Sequence, residues 1–440
     1  MIHYNEGRGG ATAAGTSRRP APGPRLYSRS VNRPLVALLL ALFAGGVASA
    51  PVRALLPAYV ESVLHQPPVL TSIVLAVQMA CGGLFALAGG AVSDLVSRRA
   101  AVLVGMTTAI CGAALFAVSA PPVMLALAVL WGIASGFQST GGQSFLMAAV
   151  SRARLGSATA VYFVSSTASA AVGAWLAGMA ADRWGFSVVA AGGAALGLLA
   201  LLLAARFLPP LGRDSGTRAG GGRPGEAGPA GAKPSALSAW AWQSYAGLLG
   251  RGDVIALGAL RYFPTVAWGA ASLTFPLLVF RLSDSNATVG LYSMVSLLAA
   301  SGAQLLTGRE IDRQGGPRRL IVPLTAAILV SAALATAFNG SLVGLFVAGT
   351  LWAMSAWGLS TTMPPLIHDI GAGRDDGRLV AFTHLLWSAG MLCGTLAAGL
   401  LVDRNPAAPF LLALVCLSIT LAVGRWGLAT QRKDAVYAAG

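Results

Sequence analysis

Of the polar, charged and aromatic side chains inside long apolar runs of this 440-residue chain, eleven are candidates for chemistry there. Arg53 and Arg261 are the extreme cases. A guanidinium keeps its proton at any depth, so each needs a carboxylate, backbone carbonyls or an anionic ligand. No carboxylate stands mid-run; Glu61, the nearest to Arg53, belongs at an outer rim. Gln78, Gln138, Thr140, Gln143 and Thr361 offer hydrogen bonds, although the i, i+5 spacing of Gln138 and Gln143 keeps them off one common helix face. Tyr162, Tyr262 and Trp357 offer surfaces for stacking on an apolar or aromatic ligand. His384 is the one group among them able to exchange a proton near neutral pH. The plainer alternative is structural: arginines snorkel, and Gln, Thr and Tyr bond between neighbouring helices.

Enzyme chemistry finds no footing. Neither Lys233 nor Lys433 follows a glycine, so there is no phosphate-binding loop. The four histidines have no zinc spacing, and there is no His-Glu-x-x-His or Gly-x-Ser-x-Gly. The expectation is no enzyme, no cofactor and no metal. Cys81, Cys111, Cys393 and Cys416 all lie in apolar text and read as small buried hydrophobes rather than a disulfide framework.

The elements that must position these groups follow from composition. The chain is 55% hydrophobic and 10% charged, whereas a soluble domain is about 25% charged. Runs long enough to cross a bilayer fall at 34–63, 68–94, 99–119, 122–149, 157–182, 186–208, 253–281, 286–310, 319–338, 341–369, 378–403 and 407–428. Ala48-Ser49-Ala50 resembles a signal-peptide cleavage site, but the run continues past Arg53 to Leu64 and reads as the first span. The resulting organisation is a basic disordered tail (1–33), six spans (34–208), a Gly/Pro/Arg-rich linker (209–250), six spans (251–428) and a short tail (429–440). The linker's end, Leu237 to Leu249 with Trp240 and Trp242, has the composition of an interfacial helix.

The net charge of +15 raises the question of a nucleic-acid partner, and placing the charges answers it. With a cytoplasmic N-terminus, 25 of the 30 basic residues lie in the tails, the linker and the even-numbered loops. That is the positive-inside pattern. It predicts a multi-pass protein of the plasma (inner) membrane with both termini in the cytoplasm, in contact with lipid and not with nucleic acid.

The chain also repeats itself at an offset of 221 residues. Leu130-Trp131 matches Leu351-Trp352, Ser139-Thr140 matches Ser360-Thr361, and Ala177-Gly178 through Asp182-Arg183 matches Ala398-Gly399 through Asp403-Arg404. Two halves of six spans in the same orientation follow. Between their end turns, spans 3, 6, 9 and 12 carry no Arg, His, Gln, Asn, Trp or Tyr, while the other eight do. Polar groups avoid hydrocarbon, so every third span should be a lipid-facing scaffold and the rest should surround something wet.

Two loops complete the pattern. Gly90, Asp94, Arg98 and Arg99 follow span two, and Gly308, Asp312, Arg313 and Gly315, then Arg318 and Arg319, follow span eight. On these residues the chain resembles the major facilitator superfamily, whose hallmark is Gly-x-x-x-Asp-Arg-x-Gly at both places. The resemblance covers 34–428. It implies an all-α polytopic membrane protein with twelve transmembrane helices in two pseudo-symmetric six-helix bundles. It further implies that the glycines admit close helix approach, that Asp94 meets span eleven near Gly377 and Arg378, and that Asp312 meets span five near Gly156 and Ser157. Leu95 and Ser97 depart from the first copy, so the second is the better preserved.

The same resemblance implies a monomeric secondary transporter of a small organic solute, working by rocking of the bundles about a cavity lined chiefly by helices 1, 4, 7 and 10. The cavity composition leans towards amphipathic or anionic solutes. Proton-coupled export is one expectation, with H+ as the coupling ion. Two motifs of proton-driven members are missing: Ala128 stands where an Arg precedes Gly132, and no Gly-Pro pair occurs between 157 and 182. Facilitative uniport or import is therefore the alternative, beside a non-transporting sensor or lipid-handling protein on the same fold.

Overall fold

A computed structural model describes residues 33–150, 155–209, 250–314, 316–371 and 376–427. The two tails, most of the linker with its Trp240–Trp242 segment, and Gly315 lie outside the described residues. Among the described residues, twelve helices are long and apolar enough to cross a membrane. The first half contains α1 (Arg33–Ser62), α2 (Pro68–Leu95), α3 (Arg98–Ala114), α4 (Pro121–Ala149), α5 (Leu155–Trp184) and α6 (Phe186–Phe207). The second contains α7 (Gly252–Ser283), α8 (Asn286–Gln314), α9 (Arg318–Ala337), α10 (Leu342–Gly371), α11 (Asp376–Leu401) and α12 (Ala408–Ala422). Most helix ends fall within a turn of the expected spans, because hydropathy fixes length and Pro, Ser or Gly marks the stops.

Local chemistry explains the boundaries. Pro68 and Pro121 start α2 and α4, where a missing N–H costs nothing. Ser97 caps α3 by accepting from the Ala100 N–H. α7 carries Pro264 and Pro276 within it and still runs unbroken over its 32 residues. In lipid a helix has no water to compete for its backbone groups, which makes an internal proline tolerable.

Packing follows the expected division of labour. Within the bundles α2 lies on α4, α3 on α4 and α6, α7 on α11 and α12, and α9 on α10 and α12. The bundles meet through α5 on α8 and α2 on α11, with α1 also touching α7 and α8. The scaffold helices α3, α6, α9 and α12 take no part in those seams, and α6 and α12 expose Leu198, Leu202 and Val415. The face where α1 begins is termed the terminal face, and the one where α1 ends the far face.

Candidate functional site

Along both seams the helices approach through small residues, but only from the far face to mid-depth. A Cβ on Gly290 of α8 would lie 2.5 Å from the Ala174 carbonyl of α5, and one on Gly178 would collide with the Asn286 carbonyl. Gly399 of α11 sits against Ser72 and Pro68 of α2, and Gly83 against Ser388. At mid-depth the hydroxyls of Thr167 and Ser301 are 2.6 Å apart across the α5–α8 seam. Towards the terminal face no such contact is found among the described residues. Leu84 is 67% exposed and Leu385 64%, and a Cβ on Gly90, Gly302 or Gly308 would meet nothing within 4 Å among the described residues.

Nothing among the described residues therefore meets Gly90 or Gly308 closely. Asp312 and Arg313 are exposed or nearly so, with Arg313 3.5 Å from Glu310. Arg98 is half-buried, and Arg99 donates to the Ala205 carbonyl, tying α3 to α6. The Asp94 side chain and the partners expected for Asp94 and Asp312 lie outside the described set.

The far face carries charged fastenings instead. Asp182, in the last turn of α5, accepts from the Asn286 and Ala287 backbone N–H groups at 2.8 Å each, from Asn286 Nδ2 at 2.9 Å and from the Ser285 hydroxyl at 2.7 Å. A carboxylate at a helix N-terminus meets unsatisfied donors and the positive end of the dipole. Arg281, near the end of α7, donates to both oxygens of Glu61 on α1 (2.8–3.0 Å) and to Asp403 at 2.7 Å. Both fastenings cross between the bundles. Neither was assigned a role from the sequence, although Asp182 and Asp403 mark the 221-residue repeat.

Inside the molecule the candidates fall into three groups and two outliers. Gln78 is 2% exposed and donates to Ser135 Oγ at 2.8 Å, joining α2 to α4; its Oε1 has no partner among the described residues. On the opposite bundle Arg261 is half-buried and His384 exposed, close enough that the charge of Arg261 reaches the imidazole. Tyr262, edge-on to Phe263, lies against Cys393. Trp357 meets Trp268 edge to face with centroids 6.1 Å apart, its buried indole N–H has no acceptor among the described residues, and its carbonyl accepts from Thr361.

Arg53 stands alone. It is exposed although it is about 30 Å along α1 from the terminal face at 1.5 Å per residue. An arginine at such depth costs about 3 kcal/mol on insertion scales unless water, a counter-charge or a ligand reaches it.

The outliers are Tyr162 and Gln138. Tyr162 is 8% exposed within the packing around Leu38, Leu42 and Phe145, its hydroxyl against Gly142. Gln138 has its backbone against Gly105 of α3, a face it does not share with Gln143, which is half-buried beside exposed Ser139. Thr140 donates to the Gly136 carbonyl and sits beside Gly89. Trp131 and Trp352 are buried, as expected of packing groups. Among the described residues no group of three or more His, Cys, Asp or Glu could hold a metal ion.

Comparison with known proteins fits this architecture. The model of the Major Facilitator Superfamily matches residues 37–363. Solved structures of similar shape include a POT family transporter in complex with a thioalcohol-conjugated peptide (TM-score 0.67, 13% identity, covering 91% of this chain and 96% of that one). Another POT family structure holds 5-aminolevulinic acid (0.68, 14%, 90% and 96%). The nucleoside transporter NupG is also similar (0.69, 11%, 90% and 99%). No curated protein matches the sequence.

Proposed function

Since the chain belongs to the Major Facilitator Superfamily, and is thus a multi-pass membrane transporter rather than an enzyme, we propose that it carries one small organic solute across the plasma membrane by alternating access. It works as a monomer, with the terminal face in the cytoplasm, as the distribution of its basic residues indicates. The observation that carries this reading is the asymmetry of the seams: packed and fastened at the far face, and without such contacts among the described residues towards the terminal face. A rigid-body rock of the bundles about the mid-depth contact Thr167–Ser301 exchanges which face is sealed. In the opposite state Gly90 and Gly308 admit close approach, and Asp94 and Asp312 fasten the cytoplasmic side.

Export is the direction assigned, by analogy within the family, with His384 as the proton carrier. Uniport is the second reading, favoured by the lack of any acidic side chain deep in a span. Proteoliposomes offered a solute panel, with and without an imposed pH gradient, test both. Saturable flux of one solute class is expected, slower in Asp312→Asn than in Asp94→Asn since the second loop copy is the better preserved. Flux abolished by His384→Ala and driven by the gradient supports proton coupling; flux indifferent to both supports uniport. Correctly inserted protein that moves no solute contradicts the transport reading and favours a sensor or lipid-handling role.

A further inference from the structure

We propose that the solute is a small organic anion of the carboxylate class with an apolar or aromatic body, a conclusion that rests on the transport reading above. Arg261 beside His384 is its station nearer the terminal face, and Arg53 its station deep in the molecule.

The charge balance of the interior points first to an anion. Every acidic residue among the described ones lies outside the helices or within five residues of a helix end, and none of the 15 stands in the middle of an apolar run. Two guanidinium groups and one imidazole therefore face no carboxylate at depth. Three other arginines have partners: Arg251 in Asp253, Arg281 in Glu61 and Asp403, Arg99 in a carbonyl. Among the described residues, the side chains of Arg53 and Arg261 have neither hydrogen bond nor ion pair. A permanent cation deep in a span, left without a partner among the described residues, is complementary to an anion that arrives and leaves.

Snorkelling does not account for Arg53. Reaching the far face would take its side chain past Ala54 to Val60, all buried in the sealed half of α1. Its exposed surface must open towards the terminal face, about 30 Å away along the helix. Arg261 lies about 14 Å from that face by the same rise, so the two stations differ in depth by about 16 Å.

The body of the solute is indicated by what lies between. Trp268 and Trp357 stand near the middles of α7 and α10, in edge-to-face contact. The Trp357 indole N–H is a buried donor without an acceptor among the described residues, suited to a carboxylate or carbonyl oxygen passing it. Gln78 Oε1, also unpartnered there, accepts a hydroxyl or N–H elsewhere on the solute. The aromatic faces supply stacking for an apolar portion.

The test uses the full chain in proteoliposomes and three matched mixtures: short and long, aliphatic and aromatic carboxylates, their primary amides, and the corresponding amines. The expected result is saturable exchange of carboxylates alone, lowered about tenfold or more in Arg53→Gln and in Arg261→Gln, with part retained in Arg261→Lys. A second readout needs no flux. Phenylglyoxal should modify Arg53 and Arg261 in the purified protein, mapped by mass spectrometry, and carboxylates but not amides should slow it. Saturable exchange of amides or amines at rates equal to the carboxylates overturns the anion assignment and leaves the transport reading intact. Carboxylate flux unchanged in both glutamine variants, or labelling that carboxylates do not slow, also overturns it. Inserted protein that exchanges none of the mixtures overturns both readings.

Discussion

The internal repeat makes the α5–α8 and α2–α11 seams equivalent, and both are narrowed by glycine, but their far ends are fastened by different chemistry. Asp182 and Asp403 occupy the same place in the repeat. Asp182 finds the start of α8, where Asn286 and Ala287 present backbone donors. The start of α2 is Pro67-Pro68, and proline has no N–H to give. Asp403 turns instead to Arg281, which it shares with Glu61. Two halves of one repeat have thus arrived at a dipole-assisted cap across α5–α8 and, beside the end of α11, a partly exposed ion triad that joins α7 to α1. The cap draws on rigid backbone donors and withstands salt better, whereas the triad depends on long side chains that salt screens.

The largest effect should come from the seam whose close contact is backbone on backbone. Gly290→Val has no side chain opposite that can yield, since Ala174 O and Trp175 Cα are the neighbours. Flux should fall at least about tenfold with insertion intact, and truncating α5 side chains should not restore it. Gly399→Ala meets chiefly the Ser72 side chain, so Ser72→Gly should rescue it. Rescue of the first, or failure to rescue the second, breaks the distinction.

Asp182→Ala comes next. It removes charge-assisted hydrogen bonds to a helix N-terminus, each worth about 1.5–3 kcal/mol. A shift of about 2 kcal/mol moves the balance between far-closed and far-open forms about thirtyfold, readable from cysteine accessibility at the far face. Arg281→Gln should be milder, about fivefold or less, because its partners are part-exposed. The smallest effect is ionic: raising salt from low to physiological should loosen wild type slightly and Arg281→Gln not at all.

Much of this architecture was legible in the residues, for reasons that differ by element. Helix ends were readable because a bilayer sets length and proline sets starts, as at Pro68 and Pro121. The scaffold role of α3, α6, α9 and α12 was readable because polar groups in lipid are costly. The far-face fastenings were not, since Asp182 and Asp403 are identical in the sequence repeat and acquire different roles only when their neighbouring helix starts are seen. The place of the Tyr162 hydroxyl against Gly142 was not legible either, a pairing between helices that no spacing reveals. Gly90 and Gly308 suggested close contact, but the partners expected for Asp94 and Asp312 lie outside the described residues.

The central claim is that the two faces open in alternation, and paired distances across the bundles test it most directly. In a cysteine-free background, spin labels at Ser119 and Asn339 report the far face, and labels at Ser97 and Arg319 report the terminal face. Wild type should show a short far-face and a long terminal-face distance. Asp182→Ala should lengthen the first population and shorten the second in the same sample. Far-face lengthening without terminal-face shortening, or no change in either, would contradict a rocking transporter.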